Sequence, residues 1–168
     1  MHNRLSGPYG FLSLVVLSGA VLDQASKWAA FKYIPELHPH ADAVKLTFFL
    51  NLSLSRNEGG VFGVLKGGGL LFAALSVLAI FAILWLYTRS ERVNTVTTIA
   101  LGGILAGAVG NLIDRVCYGY VRDFVDLHIG ARHWPTFNLA DFLICVGAGI
   151  MVLCILLPAP PRPRTPQD

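Results

Sequence analysis

The sequence predicts an α-helical integral membrane protein with four transmembrane helices and a small extracytoplasmic β cradle. Three observations lead to this fold class. Only 14% of the 168 residues are charged and 54% are hydrophobic, whereas about 25% of the residues in an ordinary soluble domain are charged. Four long stretches contain no charged residue, and the segment between the first two alternates apolar with polar side chains.

The four uncharged stretches are each long enough to cross a bilayer, which takes about 20 apolar residues in a helix. They cover residues 5–22, 67–88, 93–113 and 142–161, and we place the spans at about 11–31, 68–88, 93–114 and 138–157 within one polytopic domain of residues 1–168. A soluble helical bundle needs polar outer faces, which these stretches lack.

The first stretch has one alternative interpretation, a cleaved signal peptide with Arg4 in its basic region. Its apolar character continues as far as Phe31, past the small-residue sequence Ser18-Gly19-Ala20 that offers a cleavage site. We therefore predict a retained span.

Charge asymmetry predicts the orientation. With four spans, both termini and the loop 89–92 lie on one side, and they carry five basic and two acidic side chains. The longer segments 32–66 and 115–136 carry seven basic and five acidic side chains in 57 positions, a lower basic density. The positive-inside rule makes the termini cytoplasmic. The tail 158–168, with five prolines, is expected to be disordered.

Composition and motifs also exclude several functions. A net charge of +3 leaves no basic stripe for nucleic acid. No helical His-x-x-x-His or His-Glu-x-x-His pattern and no Gly-x-Ser-x-Gly turn occurs. We therefore expect neither a metal site nor a cofactor.

The outer segment 32–66 contains a strand-like pattern. Residues 44–55 alternate mostly apolar with polar side chains, which is typical of a half-buried strand. A glycine-rich turn at 55–63 follows, with Asn57 as its polar anchor. Open strand edges are not stable in lipid, so we predict a small sheet at the outer interface, its apolar side toward the membrane. A plain amphipathic loop is the alternative.

Carboxylates gather at the outer ends of the predicted spans. Asp23 closes the first uncharged stretch, Asp114 closes the third and Asp141 precedes the fourth. Acids at such positions are costly and mark functional sites or ion paths. Asp23 and Lys27 have the i, i+4 spacing of an ion pair on one helix face.

Two Asn-x-x-Asp sequences strengthen the case for a site. Asn111 precedes Asp114 and Asn138 precedes Asp141 by three residues, a spacing that puts amide and carboxylate on one helical face. The adjoining Arg115 has a planar guanidinium suited to a carboxylate or a substrate carbonyl.

A further pair of acids, Asp123 and Asp126, lies among apolar residues, a setting that raises the pKa of a carboxyl group. Two carboxyls that lie close together share a proton, so that one can activate water while the other protonates a carbonyl oxygen. This chemistry hydrolyses amides without a metal. The residue pattern leaves open which of Asp123 and Asp126 takes part.

Taken together, these motifs resemble those of the lipoprotein signal peptidase family, also called signal peptidase II. The matching sequences are Asp23-Gln24-x-Ser26-Lys27, Asn57-x-Gly59-x-x-Phe62-Gly63, Gly110-Asn111-x-x-Asp114-Arg115, Val121-x-Asp123-Phe124 and Phe137-Asn138-x-Ala140-Asp141.

The resemblance implies an aspartic endopeptidase in which Asp123 and Asp141 form the catalytic dyad. It further implies residues that line, brace or support the site, namely Asp23, Lys27, Asn57, Gly59, Asn111, Asp114, Arg115 and Asn138. Members of the family act at the outer face of the bacterial inner membrane, and globomycin inhibits them. They cut prolipoproteins before the diacylglyceryl-modified cysteine, so the implied partners are these substrates and membrane lipid.

One alternative from another class is a small four-span ion- or proton-coupled carrier that uses the membrane-edge carboxylates. Such a carrier predicts charges near the bilayer midplane and spans broken by glycine or proline. The acids lie instead at the edges of the uncharged stretches.

Overall fold

The computed structural model describes residues 8–34, 44–59, 68–89 and 94–157. Its helices are α1 (Pro8–Tyr33), α2 (Gly69–Arg89), α3 (Thr95–Tyr118) and α4 (Leu139–Leu156). Its strands are β1 (Val44–Lys45), β2 (Leu50–Asn57), β3 (Val121–Ile129) and β4 (Arg132–His133), which form an antiparallel sheet in that order. All four helices are long and apolar enough to span a membrane. The predicted fold class is confirmed, while the expected disordered tail 158–168 lies outside the described residues.

Helix α3 lies at the centre of the bundle and contacts the other three helices. Its buried face consists largely of alanine and glycine. Because lipid supplies no hydrophobic force between helices, small side chains that allow close backbone approach stabilise such packing. A Cβ atom at Gly107 would collide with the carbonyl oxygen of Ala140 on α4, and one at Gly110 would collide with the carboxylate of Asp23 on α1.

Helix α3 continues one turn beyond residue 114, the predicted end of the third span. Helix α3 ends at Tyr118, and Gly119 then adopts the left-handed conformation with φ of 79° and donates its N–H to the carbonyl of Arg115. This is the usual glycine stop of a helix. Asp114 therefore lies inside the last turns of the helix, where its side chain contacts neighbouring elements.

The predicted single strand over residues 44–55 is interrupted. The N–H groups of Leu46 and Thr47 both donate to the carbonyl of Leu50, which closes a turn between β1 and β2. The Thr47 hydroxyl accepts hydrogen bonds from the N–H groups of Phe49 and Leu50. Side-chain bonding of this kind offers the backbone an alternative to the strand ladder. Strand β2 then runs on to Asn57, which the sequence placed in the following turn.

The segment 115–136, expected to be an outer loop, supplies half of the sheet. It contains the end of α3 together with strands β3 and β4. Strand β3 pairs with β2 from Leu50 opposite Leu127 to Asn57 opposite Val121, with a register shift between Leu52 and Ser55. The sheet is therefore assembled from both segments that were predicted to be outer.

The register between β2 and β3 changes between the positions of two acids in β3. Asp126 lies opposite Asn51, and Asp123 lies opposite Ser55. Between these two pairs the register shifts, so that Ser53 and Leu54 of β2 lie across from Phe124 alone. An extra residue of this kind in one strand is a β-bulge.

Strand β3 also makes an irregular contact with the chain just before α4. The successive N–H groups of Phe124 and Val125 both donate to the carbonyl of Phe137, at 3.0 and 2.9 Å. Two adjacent donors on one acceptor are typical of a β-bulge. Because Asn138 follows Phe137 directly, this contact also ties the beginning of α4 to β3.

Candidate active site

Asp123, near the start of β3, is buried and accepts two side-chain hydrogen bonds. Asn138 Nδ2 donates to its Oδ1 at 2.6 Å, and Asn57 Nδ2 donates to its Oδ2 at 3.1 Å. The Gly59 N–H donates to Asn57 Oδ1 at 3.2 Å, which orients the Asn57 amide with its donor toward the carboxylate. Burial, followed by the charge of Asp141, raises the pKa of Asp123 to about 7, against the opposing effect of the two amide donors.

Asp141 lies in the first turn of α4 and is held in a capping box. The Asp141 N–H donates to Asn138 Oδ1 at 3.1 Å, and the Asn138 N–H donates to Asp141 Oδ2 at 3.2 Å. The expectation that this Asn-x-x-Asp pair lies on one helical face is wrong, because Asn138 is the N-cap with extended backbone angles. The same spacing instead satisfies two unpaired donors at the helix start.

The side chain of Asn138 links the two acids to a third element. Its Nδ2 atom, bonded to Asp123, also lies 3.2 Å from Asn111 Oδ1 on α3. Asn111 Nδ2 in turn donates to Asp141 Oδ1 at 2.8 Å. The two acids therefore belong to one hydrogen-bond network with both asparagines.

A buried cluster of charged side chains contacts this network through Asn111. Lys27 Nζ on α1 lies 2.8 Å from Asp23 Oδ2 and 3.2 Å from Asp114 Oδ2, and all three side chains are fully buried. The same ammonium donates to Asn111 Oδ1 at 2.9 Å. The predicted i, i+4 pair of Asp23 and Lys27 is present, and Lys27 joins it to the amide that holds Asp141.

Asp23 also holds the beginning of α4. Its Oδ1 accepts the Ala140 N–H at 2.9 Å, so a carboxylate of α1 binds a free amide in the first turn of another helix. Gln24, which sequence reasoning did not select, donates from Nε2 to the carbonyl of Gly110 at 3.0 Å. Polar contacts at this end of the bundle therefore determine the position of α1 relative to α3 and α4.

Of the two partners expected for Arg115, a carboxylate or a substrate carbonyl, no carboxylate side chain of the described residues forms an ion pair with it. Its Nη1 donates to the carbonyl of Asn111 at 3.3 Å, and its guanidinium lies 5.6 Å from the ring centroid of Phe72. The guanidinium that binds Asp114 belongs to Arg122, at 2.8 Å. Sequence reasoning missed Arg122 as a site residue; the available signal was a lone cation next to Asp123 in an apolar strand.

Asp126, the competing acid, has different partners. His133 Nδ1 lies 2.8 Å from its Oδ1, and Asn51 Nδ2 lies 3.4 Å from its Oδ2. Both contacts lie within the sheet. Asn138 donates instead to Asp123, and Asn111 donates to Asp141.

The arrangement is suited to acid–base chemistry. It pairs a carboxyl group whose pKa lies near 7 with a second carboxylate, and asparagine amides hold the orientation of both. Within residues 8–34, 44–59, 68–89 and 94–157, no group of three or more His, Cys, Asp and Glu side chains is placed to bind a metal ion.

Comparison with known proteins matches residues 15–157 to the model of the family described as signal peptidase (SPase) II. The chain is 40% identical over 166 residues to a lipoprotein signal peptidase of Coxiella burnetii (strain Dugway 5J108-111), covering 96% of this chain and 97% of the relative. It is 41% identical over 149 residues to a lipoprotein signal peptidase of Burkholderia mallei (strain SAVP1), covering 86% and 85%.

Two solved structures described as bacterial membrane enzymes share the fold. The first has a TM-score of 0.78 at 28% identity and covers 88% of both chains. The second has a TM-score of 0.76 at 28% identity and covers 88% of this chain and 93% of the other. The family match and the two relatives extend over most of the chain, and the fold has four apolar helices long enough to span a membrane. The chain therefore belongs to the signal peptidase II family of bacterial multi-pass membrane proteins.

Proposed function

We propose that this protein is an aspartic endopeptidase that removes signal peptides from prolipoproteins by hydrolysing the amide bond before the diacylglyceryl-modified cysteine. The observation that carries the proposal is the position of Asn138. Its side chain donates to Asp123, and its backbone and side chain form the capping box with Asp141. Two acids from different elements are thereby held against a single residue.

In the proposed reaction, Asp123 carries the proton of the resting dyad and Asp141 is ionised. Asp141 removes a proton from a water molecule, whose oxygen bonds to the scissile carbonyl carbon while Asp123 protonates the carbonyl oxygen. The protonated Asp141 then gives its proton to the departing amine as the carbon–nitrogen bond breaks. Collapse of the diol returns a proton to Asp123. The products are the signal peptide carboxylic acid and the lipidated cysteine with a free amino group.

The supporting residues have separate roles in this scheme. Asn57, oriented by Gly59, and Asn138 hold Asp123, while Asn111 holds Asp141 through a bond that Lys27 orients. Preorganised donors of this kind need no rearrangement when charge moves in the transition state.

Arg115 has a different proposed role. It is half-buried and pairs with no carboxylate side chain of the described residues, so we assign it to the substrate, as a donor to a peptide carbonyl.

The site is proposed to lie at the outer face of the membrane, with both termini cytoplasmic. The turns of the sheet carry large apolar side chains that are strongly exposed, including Phe48 at 88%, Ile129 at 86% and Trp134 at 66%. Aromatic residues at such positions are typical of the membrane interface. We propose that they contact outer-leaflet lipid, where a substrate anchored by acyl chains presents its scissile bond. The carrier alternative is not favoured, because residues 15–157, most of the chain, match a peptidase family.

The pH dependence of cleavage follows from the raised pKa of Asp123. The scheme needs one proton on the dyad, and Asp123 loses that proton as the pH rises through about 7. We expect kcat to fall about tenfold for each pH unit well above this value. Single-turnover cleavage in detergent from pH 5 to 9 measures the profile. A rate that stays constant up to pH 9 would show that the raised pKa of Asp123 does not govern the reaction.

The function itself is tested with purified protein and a diacylglyceryl-modified prolipoprotein, analysed by gel mobility. We expect cleavage that globomycin blocks, and no cleavage of the same precursor without the lipid. Spheroplasts given the lipidated precursor from outside should also cleave it if the site faces outward. Absence of cleavage by the purified protein would refute the proposed function. Cleavage only after the membrane is permeabilised would refute the outer location alone.

A further inference from the structure

Arg122, the residue before Asp123, is buried and held by several polar contacts. It is only 5% exposed, although long charged side chains are seldom buried unless paired. Its Nη2 and Nε atoms lie 2.8 and 3.2 Å from Asp114 Oδ1, and Nη2 also donates to Gln24 Oε1 at 2.8 Å. The face of the guanidinium lies over the ring of Tyr118 at 4.4 Å.

The backbone of Arg122 is bound by the same carboxylate. Its N–H donates to Asp114 Oδ2 at 2.9 Å, so Asp114 accepts the side chain with one oxygen and the main chain with the other. This double contact joins the last turns of α3 to the start of β3, immediately before Asp123 and across a connection of only two residues, Gly119 and Tyr120. It therefore determines where β3 begins relative to the helices.

Arg122 also affects how Lys27 divides its contacts. Lys27 lies at 2.8 Å from Asp23, at 2.9 Å from Asn111 and at the longer distance of 3.2 Å from Asp114. Since Arg122 neutralises the charge of Asp114, Lys27 is left to bind Asp23 and to orient Asn111. A buried carboxylate deprived of its arginine would attract the ammonium more strongly. That shift would weaken the bond that holds Asn111, and with it the bond from Asn111 to Asp141.

We infer that Arg122 is a positioning residue for the peptidase reaction: through Asp114 it sets the start of β3, which carries Asp123, and frees Lys27 to hold Asn111 against Asp141. The inference rests on the proposed function. Both routes end at the dyad and neither requires contact with the substrate. Loss of Arg122 should therefore lower kcat while KM stays nearly unchanged.

The test compares two variants. Arg122→Gln removes both the charge and the guanidinium hydrogen bonds, whereas Arg122→Lys keeps the charge without the guanidinium geometry. We expect kcat to fall about 100-fold in Arg122→Gln, the size of effect that a small misplacement of catalytic groups produces. Arg122→Lys should recover about tenfold of this loss, and KM should stay within about twofold of wild type, since the contacts that bind substrate are unchanged. Arg56→Gln is the matched control, because Arg56 lies directly opposite Arg122 on β2 but is exposed. It should keep kcat near the wild-type value.

A double-mutant cycle identifies the route. If Arg122 acts through Asp114, the kcat losses of Arg122→Gln and Asp114→Asn will be strongly non-additive. Additive losses, a rise in KM without a fall in kcat, or wild-type kcat in Arg122→Gln would overturn the inference while the protease assignment stands. If Arg122→Gln fails to accumulate, Arg122→Lys provides the test. A lowered kcat in Arg122→Lys would then support the inference, and a wild-type kcat would contradict it. Failure of the proposed function is recognised separately, because wild-type protein would then not cleave.

Discussion

Asp123→Asn and Asp141→Asn should each abolish prolipoprotein cleavage while the protein still inserts and accumulates. Asparagine keeps the size of the side chain but can neither hold the proton of the dyad nor remove one from water. We expect kcat to fall about 10,000-fold or more, the order of loss seen when a central acid or base is removed from an enzyme. Single-turnover cleavage, normalised to the amount of membrane-inserted protein, measures the effect.

The matched control is Asp126→Asn, a substitution of the same kind on the same strand. Asp126 is fully buried and lies 2.8 Å from His133, so this variant should lose some stability. Its activity should fall no further than its amount of folded protein. Full activity in Asp123→Asn or Asp141→Asn would eliminate the proposed dyad. Inactivity of folded Asp126→Asn beside an active Asp123→Asn would reassign the acid.

Lys27→Met should cause the largest loss of stability of any single substitution considered. Lys27 is fully buried between Asp23 and Asp114, and removing it leaves these carboxylates without their shared ammonium. Breaking a buried ion pair by deleting one partner costs about 3–5 kcal/mol. Thermal unfolding in detergent should show a markedly lower Tm, and cleavage should fall further than the folded fraction because Asn111 loses its bond from Lys27.

Lys32→Met on the same helix is the control for Lys27→Met. Lys32 is exposed in the last turn of α1, where its ammonium lies 4.5 Å from the ring centroid of Trp28. A cation–π contact at an exposed site contributes about 0.5–1 kcal/mol, so the Tm should change little. Equal destabilisation by the two substitutions would mean that the buried position of Lys27 has no special importance.

The sequence alone determined the membrane-spanning fold and the family. Hydrophobicity is a local property, and a stretch of about 20 apolar residues predicts a spanning helix whatever surrounds it. Alternation of four spans then requires Asp23, Asp114 and Asp141 to lie at one end of the bundle. These acids do converge there in the structure, around Lys27 and the first turn of α4. The assignment of Asp123 and Asp141 as the dyad remains a prediction that the substitutions above test.

Local patterns were less informative about the sheet and about the partner of each charge. Strand alternation in residues 44–55 indicated a β element but not the turn closed by Thr47. It gave no sign that residues 121–129 would pair with that segment. The spacing of Asn138 and Asp141 suited a helix face as well as a capping box, and only the start of α4 distinguishes the two.

What the tertiary structure decided is which polar groups meet across long separations in the chain. Arg115 and Arg122 both lie near the acids in sequence, yet Asp114 pairs with Arg122, because β3 folds back against α3. Asp123 and Asp126 both lie in β3, yet Asn138 bonds to Asp123. The length of a hydrophobic stretch depends only on consecutive residues, so a membrane-spanning helix can be predicted from the sequence. Strand register and the pairing of buried charges depend on the balance between desolvation and contacts that form only when distant segments pack together.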